Sequence, residues 1–239
     1  MGWKLTDSGD RDSLACQLRR RRLALFLDLL DQLPRPLRIL DVGGTFDFWE
    51  TMGLDSFEHC SVALLNTKEC RTAADNFTSV VGDARHMPQY EDGAFDVVFS
   101  NSVIEHVGGL DDQFRMATEI RRVGRFYFVQ TPNRYFPVEP HFQFPCFQFL
   151  PRWSQLALLT RFSLGAYPRA GSTVQARDWV DEIRLLSRKE FAGMFPEARV
   201  VSEPFWGLSK SFMAIYDPRA RSRVGAGGEN RALETADAV

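Results

Sequence analysis

Apolar and polar positions follow two different periods along this chain. From about Asp12 to Leu33, the residues Leu14, Leu18, Leu23, Leu25, Phe26, Leu29 and Leu30 recur at helical spacing, and Pro34 and Pro36 end the run. Residues 1–36 are therefore expected to form an amphipathic helix that packs on or caps the domain. Compact apolar runs of strand length come next: Leu37–Val42, Cys60–Leu65, Thr78–Val81, Phe95–Phe99 and Gly124–Gln130. Each leads into small or polar residues. A helix ending near Ile120 and Val123 separates the fourth run from the fifth. Later come a helix around Ser187–Met194, a strand around Ala198–Ser202 and a last strand around Ser211–Tyr216. The last two strands are close in sequence and are expected to pair antiparallel. Strands alternating with helices predict an α/β fold with a seven-stranded, mostly parallel sheet and helices on both faces. Ligands of such sheets sit outside the carboxyl ends of the strands.

The pattern changes at Arg134. Residues 134–180 are dense in Phe, Pro and Trp and have no clean period, which predicts an insertion after the fifth strand that caps the site. From Pro218 the chain turns to Arg, Gly, Ala and Glu, and residues 218–239 are expected to be a disordered tail. The 239 residues suit one sizeable domain, and 44% hydrophobic with 25% charged residues is ordinary for a globular protein. The net charge of −2 gives no global pull toward nucleic acid. The four cysteines match no C-x-x-C pattern and read as reduced thiols. The first residues lack the apolar stretch of a signal peptide, and no run reaches the roughly 18 apolar residues of a membrane span. A cytoplasmic protein is expected, with peripheral membrane contact left open. The run Arg19 to Arg22 fits either a solvated helix face or an interfacial helix.

Two stretches carry chemistry. LRILDVGG (37–44) is a buried strand running into a glycine turn, the entry to a nucleotide-type βα unit. GDARHMPQYEDGAFDVVFSNSVIEHV (82–107) is the second. Together they resemble class I, Rossmann-like S-adenosylmethionine (SAM)-dependent methyltransferases, within the broad group containing the ubiquinone and menaquinone biosynthesis methyltransferases. The resemblance runs over roughly Leu37 to Asn133, with weaker support to Tyr216, and marks residues 37–217 as the methyltransferase domain. It implies SAM as cofactor and methyl transfer to a small-molecule or lipid-linked acceptor.

Gly43 and Gly44 let backbone approach a ligand without a Cβ in the way. The resemblance implies that Asp41 lies near the methionine ammonium, directly or through water; capping the following turn is its plainer role. It also implies that Asp83 accepts from the adenine amino group and that the Ala84 N–H serves the ring. An ionised carboxylate is acceptor-only, which suits the first task; an Asx-turn is the alternative. Met87 could pack on adenine or in the core. Asn101, at the end of the fourth strand, completes the cofactor set. Two departures stand out. Thr45, Phe46 and Asp47 follow the glycines where the family alternates glycines, and the bulk of Phe46 could narrow the loop. Asn66 stands where the family has an acidic residue on the ribose hydroxyls; Glu69 could substitute.

An acceptor atom must be held at near-attack distance, and a hydroxyl acceptor profits from a base. The candidates are His141, Glu139 and His106, with His86 behind them. Glu139-Pro140-His141 lies in the insertion, where Glu139 could fix the His141 tautomer; a surface ion pair or two metal ligands are the alternatives. His106, in the Glu-His-Val run, either lines the pocket or holds a helix start. The His, Glu and Cys spacing closes no metal set. Tyr135 to Trp153, with Phe136, Phe142, Phe144, Phe147 and Phe149, forms a lid with its own core, an apolar acceptor pocket or a membrane-facing lip. Oxygen is favoured over carbon as the acceptor atom. A nicotinamide dehydrogenase would carry G-x-G-x-x-G after the first strand, which this chain lacks. A methyltransferase-like binding or scaffold protein without catalysis is the other alternative, and Phe46 and Asn66 favour it.

Overall fold

The computed structural model describes residues 14–55, 57 and 59–220. The start of the predicted first helix at residues 12–13 and most of the predicted 218–239 tail lie outside the described residues. Helix α1 (Leu14–Leu30) leads through the prolines into β1 (Leu37–Val42), and α2 (Phe46–Met52) follows the glycine turn. Next are β2 (Cys60–Asn66), β3 (Phe77–Val81) and β4 (Phe95–Asn101). A single 3₁₀ turn, Ile104–His106, precedes α3 (Leu110–Val123) and β5 (Gly124–Pro132). The insertion contains a short hairpin, β6 (Val138–Glu139) with β7 (Phe144–Pro145), then α4 (Arg152–Arg161) and α5 (Thr173–Asp181). The chain closes with α6 (Arg188–Met194), β8 (Arg199–Phe205) and β9 (Leu208–Tyr216).

The seven long strands form one sheet in the order β3-β2-β1-β4-β5-β9-β8. β1 to β5 are parallel, and β9 runs antiparallel to both neighbours. The order reverses between β1 and β4, the crevice where open α/β sheets bind ligands. Side chains alternate across each strand. Leu40 and Val42 of β1 face a core with Met116, Ile120 and Phe191 of α3 and α6. Leu37 and Ile39 face the opposite core, where Phe26 of α1 and Phe46 and Trp49 of α2 meet Phe99 and Phe128. Insertion residues Phe142, Phe147, Leu159, Ala170 and Ala176 form a third buried cluster.

Four features add to or depart from the sequence expectations. Helix α2 is the helix of the expected βα unit, but its bounds could not be read from the sequence: seven residues are too few to show a helical period. Phe46 does not crowd the glycine loop. It starts α2, is buried, and packs edge-on against Phe77 of β3 at 5.1 Å between centroids. The β2–β3 and β3–β4 connections contain no helix. The arginine run also divides. Arg20 and Arg21 are exposed, while Arg22 is paired at 3.0 Å with the buried Glu203 of β8, whose same carboxylate accepts from Ser211 Oγ at 2.7 Å. Arg22 thus ties α1 to the sheet rather than standing on a solvated face.

Candidate active site

Asp41, Asn66, Asp83 and Asn101 lie at or just after the carboxyl ends of four adjacent strands, β1 to β4. The glycine turn is tightly fitted. Gly43 has φ of 79°, and a Cβ there would fall 2.5 Å from Val103 beyond β4. A Cβ on Gly44 would fall 1.7 Å from Asp41 Oδ2. Asn66 Nδ2 donates to the Gly44 carbonyl at 2.7 Å, and Gly82 N donates to the Asn66 carbonyl at 2.8 Å. Asn66 therefore holds the glycine loop with its amide donor and leaves its side-chain oxygen as an acceptor.

Asp41 shares its strand face with Leu37 and Ile39, so its carboxylate points inward, toward α2. It is fully buried, and Oδ2 accepts from Trp49 Nε1 at 2.7 Å. Oδ1 is buried without a hydrogen-bond partner. Burial pushes its pKa up to about 7, against the lowering effect of the Trp49 bond. Asp83 makes the Asx-turn expected as its alternative role, with an added ion pair. Arg85 engages it through Nε and a terminal nitrogen at 2.7–3.1 Å, and the Arg85 backbone N–H adds a bond at 2.9 Å. Its pKa is lowered, chiefly by these Arg85 bonds. Ala84 and Met87 belong to the core beside α3, with Met87 fully buried. His86 and Glu69 are exposed.

The proposed catalytic residues do meet. Glu139 of β6 is buried, and its Oε1 lies 2.7 Å from His141 Nδ1. Its Oε2 accepts from the backbone N–H groups of His141 at 2.8 Å and Phe142 at 2.6 Å. The His141 ring sits perpendicular to that of His106, centroids 4.8 Å apart. Burial disfavours charge on both rings. For His141 the bond and charge of Glu139, with help from Glu105 and Glu182, outweigh it and raise the pKa. For His106, burial and neighbouring His141 lower it to about 4. His106 is the neutral ring and His141 the more basic one.

Sequence reasoning passed over Glu105. It is fully buried; Oε2 accepts from Thr131 Oγ1 at 3.1 Å, and Oε1 has no partner. Burial pushes its pKa up to about 7. The 3₁₀ turn carrying Glu105 and His106 is pinned by buried Gln113, whose amide donates to the carbonyls of Ile104 at 3.0 Å and Arg184 at 2.8 Å. A carboxylate directly before a histidine was the available signal, and an acidic residue in an otherwise apolar Val-Ile-Glu-His-Val run was its only mark. A cavity of about 500 Å³ lies beside this cluster, lined by Gly108, Glu139, Phe142, Phe147, Arg152 and Gln155 among others. None of Asp41, Gly43, Gly44, Asn66, Asp83 or Asn101 lines it, so it is distinct from the crevice at the β1 and β4 ends.

Residues 43–126 match the family model described as a methyltransferase domain. The CurJ carbon methyltransferase superposes with TM-score 0.53 at 13% identity, over 85% of this chain and 55% of that one. The PH0226 protein of Pyrococcus horikoshii does so with TM-score 0.52 at 16% identity, over 91% and 96%. Over residues 43–126 this chain is similar to methyltransferase domains, and its fold is the Rossmann-like one that these structures share. A Rhodobacter sphaeroides structure named as a Zn-dependent alcohol dehydrogenase also superposes, with TM-score 0.50 at 11% identity over 82% and 88%. Structural likeness at this level fixes the Rossmann-like fold and leaves the reaction to the site. Two uncharacterized proteins of Mycobacterium tuberculosis are 42% identical over 53 residues, 22% of this chain. The chain spans about a fifth of the length of these curated relatives.

SAM is the cofactor that a class I methyltransferase domain implies, and the residues present fit it. The glycine turn leaves backbone bare where any Cβ would collide. Beneath the turn, Asp41 keeps one oxygen unpartnered, and Asn66 keeps one acceptor free at the neighbouring strand end.

Proposed function

We propose that this protein transfers a methyl group from SAM to a small-molecule or lipid-linked acceptor, at oxygen in preference to carbon. Bound SAM would supply a methyl group activated by its sulfonium. Asp41, Gly43, Gly44, Asn66, Asp83, Ala84 and Asn101 would form its seat along the strand ends. The observation that carries the acceptor side is the buried Glu139–His141 pair at 2.7 Å. Glu139 fixes His141 Nδ1 as the donor and so leaves Nε2 as the acceptor of a proton, the role an acceptor hydroxyl needs filled. Glu139 also lines the 500 Å³ cavity, whereas His141 and the cofactor residues do not, so the acceptor would react beside His141 and extend its remainder into that cavity. Phe142 and Phe147 make part of its wall apolar, which suits an aromatic or prenyl-like group.

Exposed aromatic residues support a lipid-linked acceptor or peripheral membrane contact. Tyr135, Trp153 and Phe162 of the insertion and Trp206 of the β8–β9 turn are all more than half exposed. Among the described residues no helix is long and apolar enough to cross a membrane.

The test is release of S-adenosylhomocysteine on incubation with SAM and a panel of phenolic and lipid-linked hydroxyls, with His141→Gln alongside. Turnover on a hydroxyl that falls about 10²–10⁴-fold in the variant supports the proposal. Turnover on a carbon or nitrogen acceptor only would reassign the acceptor atom. A binding or scaffold protein is the alternative that the occupied Asp83 carboxylate favours; it predicts no turnover on any acceptor.

A further inference from the structure

The chain spacing of His and Glu closes no metal set, but the fold brings three ligating side chains together. Glu105, His106 and His141 each present one donor atom, and these atoms all lie within 4.8 Å of one another. Two separate elements supply them, the 3₁₀ turn after β4 and the loop between β6 and β7. We propose that they form a binding site for a single zinc-type divalent cation.

Three features argue for a site rather than a chance cluster. Glu105 is fully buried with Oε1 unpartnered, although Oε2 is satisfied by Thr131. A buried carboxylate oxygen without a partner is costly, and a cation would satisfy it. Second, Glu139 bonds His141 Nδ1 at 2.7 Å and is itself held by two backbone N–H groups. That is the carboxylate–histidine arrangement that fixes the ring of a metal ligand and raises its basicity. It leaves Nε2 of His141 for the ion; with the ion bound His141 is a ligand and not the base, and activation of a hydroxyl acceptor passes to the ion. Third, two imidazoles and one carboxylate are the ligand set of open, catalytic zinc sites, which keep a fourth position for an oxygen ligand. Imidazole donors favour zinc or cobalt over magnesium or calcium. Ligands at about 2.1 Å in tetrahedral array lie roughly 3.4 Å apart, so the side chains would need to close by about 1.5 Å at most.

Such an ion lowers the pKa of an oxygen in its open position. Only that use, on a hydroxyl acceptor, rests on the proposed methyl transfer; the binding site itself does not. The experiment is calorimetric titration of chelator-treated, dialysed full-length protein with Zn²⁺, and visible absorption with Co²⁺. Wild type is compared with Glu105→Gln, His106→Ala, His141→Ala and Glu139→Gln, each checked for folding by circular dichroism. Glu105→Gln preserves shape and the Thr131 bond, so it remains informative if a histidine variant fails to fold. One ion per chain is expected, with the absorption of tetrahedral Co²⁺. Each ligand variant should weaken it at least 10-fold, and Glu139→Gln should weaken it about 10–100-fold through the ring it positions. No binding by wild type overturns the site. So does binding unchanged in Glu105→Gln and in the folded histidine variants, which would place the ion elsewhere, for example on the thiol of Cys146. S-adenosylhomocysteine binding measured on the same samples separates the two proposals. If it persists without metal binding, only the cation site fails; if zinc binds and the nucleoside does not, only the methyl-transfer proposal fails.

Discussion

Replacing Asp41 with Asn should destabilise the free protein at low pH and stabilise it at high pH. The carboxyl is fully buried, and its pKa rises from 3.8 to about 7 on folding. A raised acid binds its proton more tightly in the folded state. Its contribution is therefore fully present below about pH 4 and is lost as pH rises toward 7. At 1.36 kcal/mol per pKa unit, ionised Asp41 costs the fold about 4 kcal/mol at pH 8. Asn removes that cost and keeps an oxygen for Trp49 Nε1–H, now at 2.7 Å. Its amide nitrogen, however, takes the place of the unpartnered Oδ1, and a buried donor without an acceptor costs about 1–3 kcal/mol. Asp41→Asn should thus be less stable than wild type by about 2 kcal/mol at pH 4, close to it near pH 5 and more stable by about 2 kcal/mol at pH 8. Glu105, also near 7, titrates in both proteins and cancels in the difference. Urea denaturation midpoints at pH 4, 5, 6, 7 and 8 measure this crossing. A difference constant across pH would refute the assignment of Asp41 as a buried, proton-binding carboxyl.

Other substitutions probe the remaining links. Phe46→Ala empties a buried ring from between α2 and β3 and should cost about 3–5 kcal/mol by thermal or urea denaturation; a loss under 1 kcal/mol would return Phe46 to the ligand loop. Asn66→Ala removes the 2.7 Å bond to the Gly44 carbonyl and should weaken S-adenosylhomocysteine binding about 10-fold in calorimetry. Ser187→Ala removes the side-chain half of the capping box that starts α6, leaving the backbone N–H donation to Glu190, and should cost about 1 kcal/mol of stability with ligand affinity unchanged.

The sheet was legible because its central strands β1, β4 and β5 are buried on both faces and read as apolar runs. All seven strands were located, with β1 at its full bounds and most others a residue or more longer than expected. Hydrogen bonding continues past the last apolar side chain, as at Thr131 and Pro132 of β5, where side-chain hydropathy has nothing to report. The bounds of helix α2 were not legible because its roughly two turns are read from Phe46 and Trp49 facing inward, and both also suit a loop. The pairing of Glu139 with His141 was legible because the two are close in sequence. Their meeting with Glu105 and His106 was not, since it depends on how the insertion folds back over the β4 end. Which way a strand-end carboxylate points was likewise hidden. Asp41 turns to Trp49 and Asp83 to Arg85, contacts set by α2 and by a helix-free loop.

The most direct test of the central claim is calorimetric titration of the purified protein with S-adenosylhomocysteine, repeated on Asp83→Ala. A SAM-dependent methyltransferase should bind this product with micromolar affinity, about −8 kcal/mol, and the variant should bind at least 10-fold more weakly. No binding to the folded wild-type protein would contradict the account.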